Sequence, residues 1–204
     1  MVSPEGGMAN RTAPAEHQPR RRIIDAALRL SSRNGYDSVQ VRTLSELAGV
    51  SSRTIYEQFP SLDSVIIVAV SEEYEDLYER LTRVPPRGAT AIARVDEVLS
   101  QYAERMTANR ALTLALLRAF LSGKPDAAEH VQQFSASLER LLAAAINPDG
   151  PNAREREIAK ALASVCFAAL ISWATGTGSE IRGLVHEVAD AVLPPRSVLP
   201  FAHG

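Results

Sequence analysis

Apolar side chains recur every three to four residues along most of this chain, which is the spacing of one face of an α-helix. Glycine, proline and asparagine interrupt the runs, and these residues commonly end helices. The pattern predicts nine helices, at residues 20–34, 41–48, 52–59, 62–83, 90–108, 111–122, 125–146, 153–175 and 179–193. No segment alternates apolar and polar residues with the period of a strand, so we predict an all-α fold.

Residues 41–59 hold two short predicted helices separated by a glycine. The first helix has apolar residues at helical spacing and ends before Gly49; they are Val41, Leu44, Leu47 and Ala48. Glycine readily takes the left-handed conformation that terminates a helix. Ser51 suits the N-cap of the second helix, because its hydroxyl can accept a hydrogen bond from a backbone N–H that has no helical partner.

The second of these helices has one apolar side and one side rich in hydrogen-bond donors. Ile55 and Phe59 lie one turn apart and are expected to face inward. Arg53 points the opposite way, with Thr54 and Tyr56 on the flanks. This arrangement is typical of a DNA-binding helix-turn-helix, whose second helix enters the major groove. There an arginine can donate two hydrogen bonds to guanine, and a threonine methyl can contact thymine.

Residues on and beside this helix pair are the candidates for contacts with a double-stranded DNA operator. The three arginines before the first helix are placed to touch phosphates or a minor groove, although such a run can equally be a solvated flank. The full set is Arg20, Arg21, Arg22, Arg42, Ser51, Ser52, Arg53, Thr54, Tyr56 and Gln58. A helix pair of this kind also occurs as a purely structural element, so a non-enzymatic helical adaptor stays an alternative.

The helix pair resembles the DNA-binding domain of the TetR family of repressors. The family pattern V-R-x-[IL]-A-x-x-A-G-V-S-x-x-[TS]-[IL]-Y-x-x-F-P-S-K is matched at Val41, Arg42, Leu44 and residues 48–51, 54–56 and 59–61. Ser45 stands where alanine is usual, Leu62 replaces a lysine that lies near a DNA phosphate, and Gln40 replaces a hydroxyl cap. The resemblance implies an N-terminal three-helix DNA-binding domain followed by a C-terminal helical domain for ligand binding and dimerisation.

Charge and composition refine this interpretation. The formal net charge is −2, but the first 62 residues contain eight arginines and six acidic residues, and the remainder contains 14 basic and 18 acidic residues. The positive excess lies on the predicted DNA-binding part but is small, so the motif is the stronger indication. There is no run of about 18 uninterrupted apolar residues and no apolar signal core, so we expect no membrane association and a cytoplasmic protein.

Four segments follow from these patterns. Residues 1–19 lack periodicity and are predicted to be a disordered arm, residues 20–66 the DNA-binding domain, residues 67–194 the ligand-binding and dimerisation domain, and residues 195–204 an irregular tail. The single cysteine, Cys166, excludes an intrachain disulfide and suits a reducing compartment. We interpret it as a small core residue, with a redox sensor as the alternative.

The predicted eighth helix is apolar around much of its circumference, so it must bury more than one face. One face can pack on its own subunit, while small residues on another let a partner helix approach. In TetR-like proteins the last two helices pair with their copies, so the resemblance implies a homodimer with a four-helix interface. The expected interface residues are Val165, Ala168, Ala169, Ser172, Ile181, Val185, Val188 and Val192.

Apolar residues of the predicted fifth to eighth helices are the candidates for an effector site, although each alone is more often an ordinary core residue. They are Met106, Leu114, Leu117, Leu121, Phe134, Leu138, Phe167, Leu170 and Trp173, with Arg118 as the charged member. The resemblance implies an apolar cavity here. Its occupation by a hydrophobic small molecule would move the fourth helix and thereby the spacing of the two DNA-reading heads.

Residues 36–42 and 109–120 are similar to segments of the TetR-family repressors of steroid (cholesterol) catabolism, G-Y-x-x-V-Q-x-R and N-x-x-L-T-x-A-x-x-R-A-[YF]. The resemblance implies a sterol-derived acyl-CoA thioester as effector, with Arg118 either meeting its charged part or forming a surface ion pair. A fatty acyl-CoA or a drug-like ligand is the alternative. The four histidines lack metal-ligand spacing, and the glycine-rich segment at residues 176–178 follows no predicted strand. We therefore expect no metal, no cofactor and no enzymatic activity.

Overall fold

The computed structural model describes residues 17–84, 86–177 and 181–193. Within these ranges it contains nine α-helices and no strand, which confirms the all-α prediction for this part of the chain. A 3-10 turn, Tyr36–Ser38, joins the first two helices. The helices are α1 (His17–Asn34), α2 (Val41–Ala48), α3 (Ser52–Gln58), α4 (Leu62–Arg83), α5 (Ala91–Ala108), α6 (Arg110–Phe120), α7 (Pro125–Ile146), α8 (Ala153–Thr175) and α9 (Ile181–Val192).

Most helix boundaries lie within two residues of the predicted ones. The exception is α1, which begins at His17, so residues 17–19 are helical and their assignment to a disordered arm was wrong. Pro19 is tolerated there because N–H groups in a first helical turn have no helical partner to lose. The remainder of the predicted arm, residues 1–16, and the predicted tail, residues 195–204, lie outside the described residues.

The first three helices share a small apolar core. Ile23 from α1, Leu44 from α2 and Ile55 from α3 are fully buried, and Phe59 closes the core beneath them. Leu47 follows the apolar spacing of α2 but is 43% exposed. The short α2 packs against α1 and α3, and Leu47 lies on the side that these neighbours leave open. The predicted three-helix domain is therefore present, with one apolar side chain turned outward.

Two longer helices dock directly on this domain. α4 packs against α1, and its N-terminal half is buried. α4 continues without interruption across residue 66, so it belongs to both predicted domains. α6 packs against α1, the 3-10 turn and α4. Asn109, the N-cap of α6, donates from Nδ2 to the carbonyl of Ser32 at 3.2 Å. The helix-turn-helix is thus held by two helices that also build the C-terminal half of the molecule.

The C-terminal half packs α7 against α4, α5 and α8, and places α9 against α5 and α8. A buried arginine fastens α5 to α7. Arg94 is 8% exposed, and its guanidinium donates to the carbonyls of Ala145 at 2.7 Å and Ile146 at 3.1 Å. These carbonyls belong to the last turn of α7, where backbone acceptors have no helical partner. Arg94 therefore satisfies a helix end in the interior of the domain.

The thiol of Cys166 is expected to be unreactive in the native protein. The residue is 1% exposed on α8, and burial raises the pKa of the thiol to about 12. Because the thiolate is the reactive form, Ellman's reagent should detect no thiol in the native chain at mildly alkaline pH, and one per chain after unfolding in guanidinium. Rapid titration of the native chain would support the redox-sensor alternative instead.

Candidate nucleic-acid interface and effector cleft

α3 is held at its start and along one side. Gly49 takes the left-handed conformation with φ of 63°, which ends α2 as predicted. Ser51 Oγ accepts a hydrogen bond from the backbone N–H of Thr54 at 3.0 Å, which confirms the predicted N-cap. Ile55 and Phe59 are buried in the domain core. The rotation of α3 is therefore fixed, and its opposite side faces solvent.

The free side of α3 presents Ser52, Arg53 and Tyr56, all exposed. The Arg53 side chain is 88% exposed, and its Nε lies 2.7 Å from the carboxylate of Glu57. Hydrogen bonding to this carboxylate raises the pKa of Arg53, so the guanidinium is always charged. An ion pair in full contact with water is weak. Arg53 can therefore exchange its carboxylate partner for a base edge or a phosphate at little cost.

The remaining candidates on the helix pair differ in exposure. Thr54 and Gln58 are half-buried on the flanks of α3, and the Thr54 hydroxyl lies 2.8 Å from Ser51 Oγ. Arg42 on α2 is 90% exposed and pairs with Glu46 at 3.0 Å within the same helix. Like Arg53, Arg42 carries a positive charge whose described partner is a solvent-exposed carboxylate, and such surface pairs are weak.

Two of the three consecutive arginines near the start of α1 reach the helix pair. Arg20 donates to the carbonyl of Gln58 at 3.3 Å, and its guanidinium lies 4.4 Å from the centre of the Phe59 ring. Arg22 donates to the carbonyl of Gly49 at 3.4 Å. These contacts place positive charge beside the end of α3 and beside the turn between α2 and α3. Both arginines therefore remain candidates for phosphate contacts.

Arg21 faces away from the helix pair. Its guanidinium lies 2.8 Å from Glu72 of α4 and 3.1 Å from Asp25 of α1. Arg21 therefore differs from Arg20 and Arg22 in its surroundings, and its contact with DNA stays a prediction. The physical reason is helical geometry, because neighbouring residues on a helix point about a hundred degrees apart. In the structure Arg21 ties α1 to α4.

An open cleft of about 510 Å³ lies between α6 and α8. Its lining is mainly apolar. Leu114, Leu117 and Arg118 of α6 and its C-cap Leu121, all predicted as effector contacts, line one wall, while Ile171 and Ala174 come from α8 and Tyr36 closes one end. Leu121 is 65% exposed, so the mouth of the cleft is wide. The structure thus brings four of the predicted effector residues together on one wall.

A second cavity, of about 230 Å³, lies among α5, α6, α7 and α8. Phe134, Leu138 and Phe167 of the predicted set line it together with Tyr102 and Phe120. The predicted effector residues therefore divide between two spaces. Met106 and Leu170 line neither, since both are buried in the core, and Trp173 stacks against the guanidinium of Arg110 at 5.4 Å. A single cavity lined by all of these residues is not what the structure shows.

Arg118 forms a surface ion pair, which is one of the two roles that the sequence allowed for it. Its Nη1 lies 2.7 Å from Asp37 Oδ2, and its guanidinium carbon lies 4.3 Å from the centre of the Tyr36 ring. Both partners belong to the 3-10 turn of the DNA-binding domain, whereas Arg118 belongs to α6. The charged residue of the cleft therefore bridges the two halves of the molecule.

No sequence pattern indicated the polar cluster beside this bridge, which is built around one buried carboxylate. The Tyr36 hydroxyl donates to Asp63 Oδ1 at 2.5 Å, and Lys124 Nζ lies 2.6 Å from Asp63 Oδ2. We call these three residues the junction triad. The Asp63 side chain is completely buried in the first turn of α4. No spacing in the sequence connects its members, which come from the 3-10 turn, α4 and the α6–α7 loop.

α8 exposes a row of small side chains along one side. Ala161, Ser164 and Ala168 are exposed, and the predicted interface residues Val165 and Ser172 are half-buried. Ala169 was expected at the interface but is 2% exposed, because one residue further along the helix turns the side chain into the protomer core. On α9, Val188 is half-buried, and the side chains of Ile181, Val185 and Val192 lie outside the described residues.

By length and composition alone, α8 would also be able to span a membrane. Its most apolar 18-residue window has a mean hydropathy of 1.7, and 33% of that window is buried inside the protomer. Core helices of soluble proteins meet the same criterion. The packing of α8 against α7 and α9 accounts for its apolar residues on one side, and the row of small residues lies on another.

Comparisons with known proteins agree with this geometry. Residues 23–67 match the family model for bacterial regulatory proteins of the tetR family, and residues 88–191 match the model for the tetracyclin repressor-like C-terminal domain. The HTH-type transcriptional repressor KstR of Rhodococcus jostii is 33% identical over 81% of this chain and 77% of its own length. KstR of Mycolicibacterium smegmatis is 30% identical, with 81% of each chain covered.

Solved structures show the same fold at lower identity. A TetR transcriptional regulator from Rhodococcus sp. RHA1 superposes with a TM-score of 0.77 at 17% identity, covering 89% of this chain and 100% of that one. FadR of Thermus thermophilus, in complex with lauroyl-CoA, gives a TM-score of 0.71 at 19% identity, covering 89% and 98%. Fold, motif and relatives therefore agree, and the chain belongs to the TetR family as a DNA-binding transcriptional repressor.

Proposed function

We propose that a dimer of this chain grips a palindromic operator through its two α3 helices and that an acyl-CoA thioester in the cleft between α6 and α8 releases it. The observation that carries the first part is the geometry of α3. Its apolar side is packed into a buried core, while Ser52, Arg53 and Tyr56 are exposed to solvent on the other side. A helix held in this way presents its donors to base edges in the major groove.

Dimerisation supplies the second requirement of operator binding. Two reading helices must be held about one DNA turn apart, at roughly 34–36 Å, to occupy successive major grooves. The exposed row on α8 consists of small residues, which allow close approach of a twofold-related α8. We infer that α8 and α9 of two copies form this interface. Such an interface fixes the separation of the heads.

The effector proposal rests on the shape and lining of the cleft. Its volume of about 510 Å³ lies within the usual range for small-molecule sites, and apolar side chains from two helices face one another across it. Arg118 at the cleft supplies a cation for the phosphate-bearing end of a thioester. The similarity of residues 36–42 and 109–120 to repressors of steroid catabolism favours a sterol-derived acyl group over a simple fatty acyl chain. The proposal places the repressor in the cytoplasm and assigns it no catalytic step.

Filling the cleft is expected to abolish the response to thioesters. A thioester at about 100 times its Kd stabilises a folded protein by about 2.7 kcal/mol, which corresponds to a rise in Tm of about 5–10 °C for a chain of this length. In an Ala174→Trp variant the indole occupies the cleft, so this rise should disappear. Differential scanning fluorimetry with choloyl-CoA and stearoyl-CoA measures it.

Ala144→Trp on α7 is the matched control, since Ala144 is exposed and does not line the cleft. It should keep the full rise in Tm. An undiminished rise in Ala174→Trp would place the thioester elsewhere, for example in the cavity lined by Phe134 and Phe167. Stabilisation of the unmodified chain by neither thioester would contradict the effector class itself.

A further inference from the structure

α6 has two functional sides. On one side Leu114 and Leu117, followed by the C-cap residue Leu121, line the cleft. On the other it lies against the DNA-binding domain, where its N-cap Asn109 donates to the Ser32 carbonyl, and Arg118 of the cleft wall reaches Asp37 of the same domain. The wall of the cleft is therefore in direct contact with the domain that reads DNA. A change in the cleft does not have to pass along α4 to reach that domain.

Tyr36 belongs to both regions at once. Its ring closes one end of the cleft and lies under the guanidinium of Arg118. Its hydroxyl leaves the cleft and donates to the buried carboxylate of Asp63. Burial, followed by the hydrogen bond to Asp63, raises the pKa of the Tyr36 phenol, which keeps the hydroxyl protonated as a donor. One side chain thus joins the ligand space to the first turn of α4.

Two polar contacts adjoin Tyr36: the ion pair of Arg118 with Asp37, and the hydrogen bond from Tyr36 to Asp63. They differ in how much free energy their loss would cost. The pair of Arg118 and Asp37 is more than half exposed on both sides, so water screens it and its loss changes little. The Asp63 carboxylate is completely buried, with the Tyr36 hydroxyl at one oxygen and Lys124 at the other, and the loss of either partner leaves a buried charge less compensated. The bond from Tyr36 to Asp63 is therefore the one whose breaking forces a rearrangement. Such a rearrangement includes the turn that leads into α2.

We propose that Tyr36 is the positioning residue through which occupation of the cleft is transmitted to the helix-turn-helix. This inference rests on the proposed function. A ligand that enters the cleft displaces the Tyr36 ring, weakens the bond to Asp63 and selects a second arrangement of the junction triad. Because Tyr36 is three residues before Val39, which is buried in the core, this second arrangement moves the reading unit relative to α4. The coupling is then the difference in ligand affinity between the two arrangements.

The Tyr36→Phe variant separates coupling from binding. It keeps the ring that closes the cleft and stacks on Arg118, and it removes only the hydroxyl that reaches Asp63. Choloyl-CoA or stearoyl-CoA should still raise its Tm. The thioester-induced loss of operator affinity should fall from about a hundredfold to below about tenfold, which is a change in coupling and not in binding. Fluorescence anisotropy with a labelled operator measures both affinities.

Tyr78→Phe is the matched control. Its hydroxyl is buried without a hydrogen-bond partner among the described residues, and the residue does not line the cleft between α6 and α8. It should respond to thioesters like the unmodified chain. A Tyr36→Phe chain that binds thioester and releases operator as well as the control overturns the inference, and so does one that no longer binds thioester. Failure of every chain to bind thioester sinks the effector proposal instead.

A ligand-independent readout uses the single tryptophan. Trp173 is half-buried on α8 next to the cleft residue Ala174. Because coupling between two sites is reciprocal, operator binding should change Trp173 emission in the unmodified chain and in Tyr78→Phe. Tyr36→Phe should bind the operator with a much smaller change. An equal emission change in Tyr36→Phe, or none in the unmodified chain, overturns the role of Tyr36 whatever the effector is.

Discussion

Replacing Arg53 by alanine is expected to weaken operator binding by about 10–100-fold, the range typical for loss of one bidentate contact to a base. The unfolding free energy should hardly change, because Arg53 is 88% exposed and its partner is a solvated carboxylate on the same helix. Specificity should fall together with affinity, since a base contact distinguishes the operator from other duplexes. Anisotropy titrations against the operator and a scrambled duplex, at one fixed salt concentration, measure both.

Two variants serve as controls for Arg53→Ala. Arg140→Ala removes an exposed arginine from α7, where its only described hydrogen bond goes to Ser137, and should leave operator binding unchanged. Arg42→Ala removes a charge expected to contact a phosphate, so it should weaken binding to all sequences alike. The slope of log binding constant against log salt concentration should become shallower by about one. An Arg53→Ala chain with unaltered specificity would mean that α3 does not read bases through this residue.

The second large effect is expected from Ala168→Glu on α8. Ala168 is exposed in the protomer and lies in the row of small residues proposed to meet its twofold copy. A carboxylate there would be buried twice in each dimer without a partner, at a penalty of several kcal/mol per ion. The chain should therefore become monomeric. Operator affinity should fall by at least about a hundredfold, because a loss of about 3 kcal/mol in binding free energy corresponds to that factor.

Sedimentation velocity and anisotropy on the same samples test this expectation. Ala144→Glu adds the same charge to an exposed position of α7 and should leave the chain dimeric. Equal unfolding free energies for the two variants would show that the protomer fold is intact in both. If Ala168→Glu stays dimeric and binds the operator normally, the interface does not run along this side of α8.

The helix-turn-helix was predictable because its determinants are local. Gly49, Ser51, Ile55 and Phe59 lie within eleven positions of one another, and each acts through the backbone or through helical periodicity. The structure therefore reproduces the turn, the N-cap and the buried side of α3. In the part of the chain that the structure describes, all nine helices also end within two residues of where glycine, proline, asparagine or a change of periodicity indicated, and only the start of α1 lies further from its prediction.

Long-range contacts were not predictable from the same sequence. Arg21 was grouped with Arg20 and Arg22, yet it pairs with Glu72 on a helix 51 residues away. The buried carboxylate of Asp63 meets a tyrosine 27 residues earlier. Composition gave no indication that Arg94 would be buried, because its backbone acceptors exist only once α7 has packed on α5. Such pairings depend on which faces of the helices pack together, and hydrophobic periodicity does not determine this.

The effector site shows a further limit of apolar patterns. A helix such as α6 places apolar residues on several faces, and the sequence does not say which face meets the core and which a cleft. Leu116 is fully buried, whereas its neighbours Leu114 and Leu117 line the cleft. Met106 and Leu170 have the same chemistry and belong to the core. Only the packing of α6 against α8 separates these roles.

Selection of duplexes from a random pool by the purified chain tests the central claim most directly. If two copies present α3 to successive major grooves, the enriched sequences should share an inverted repeat whose half-site centres lie about one helical turn, 10–10.5 base pairs, or a multiple of it apart. Arg53→Ala should fail to enrich that repeat. A pool that stays random, or one that converges on a motif without twofold symmetry, would contradict operator reading by paired α3 helices.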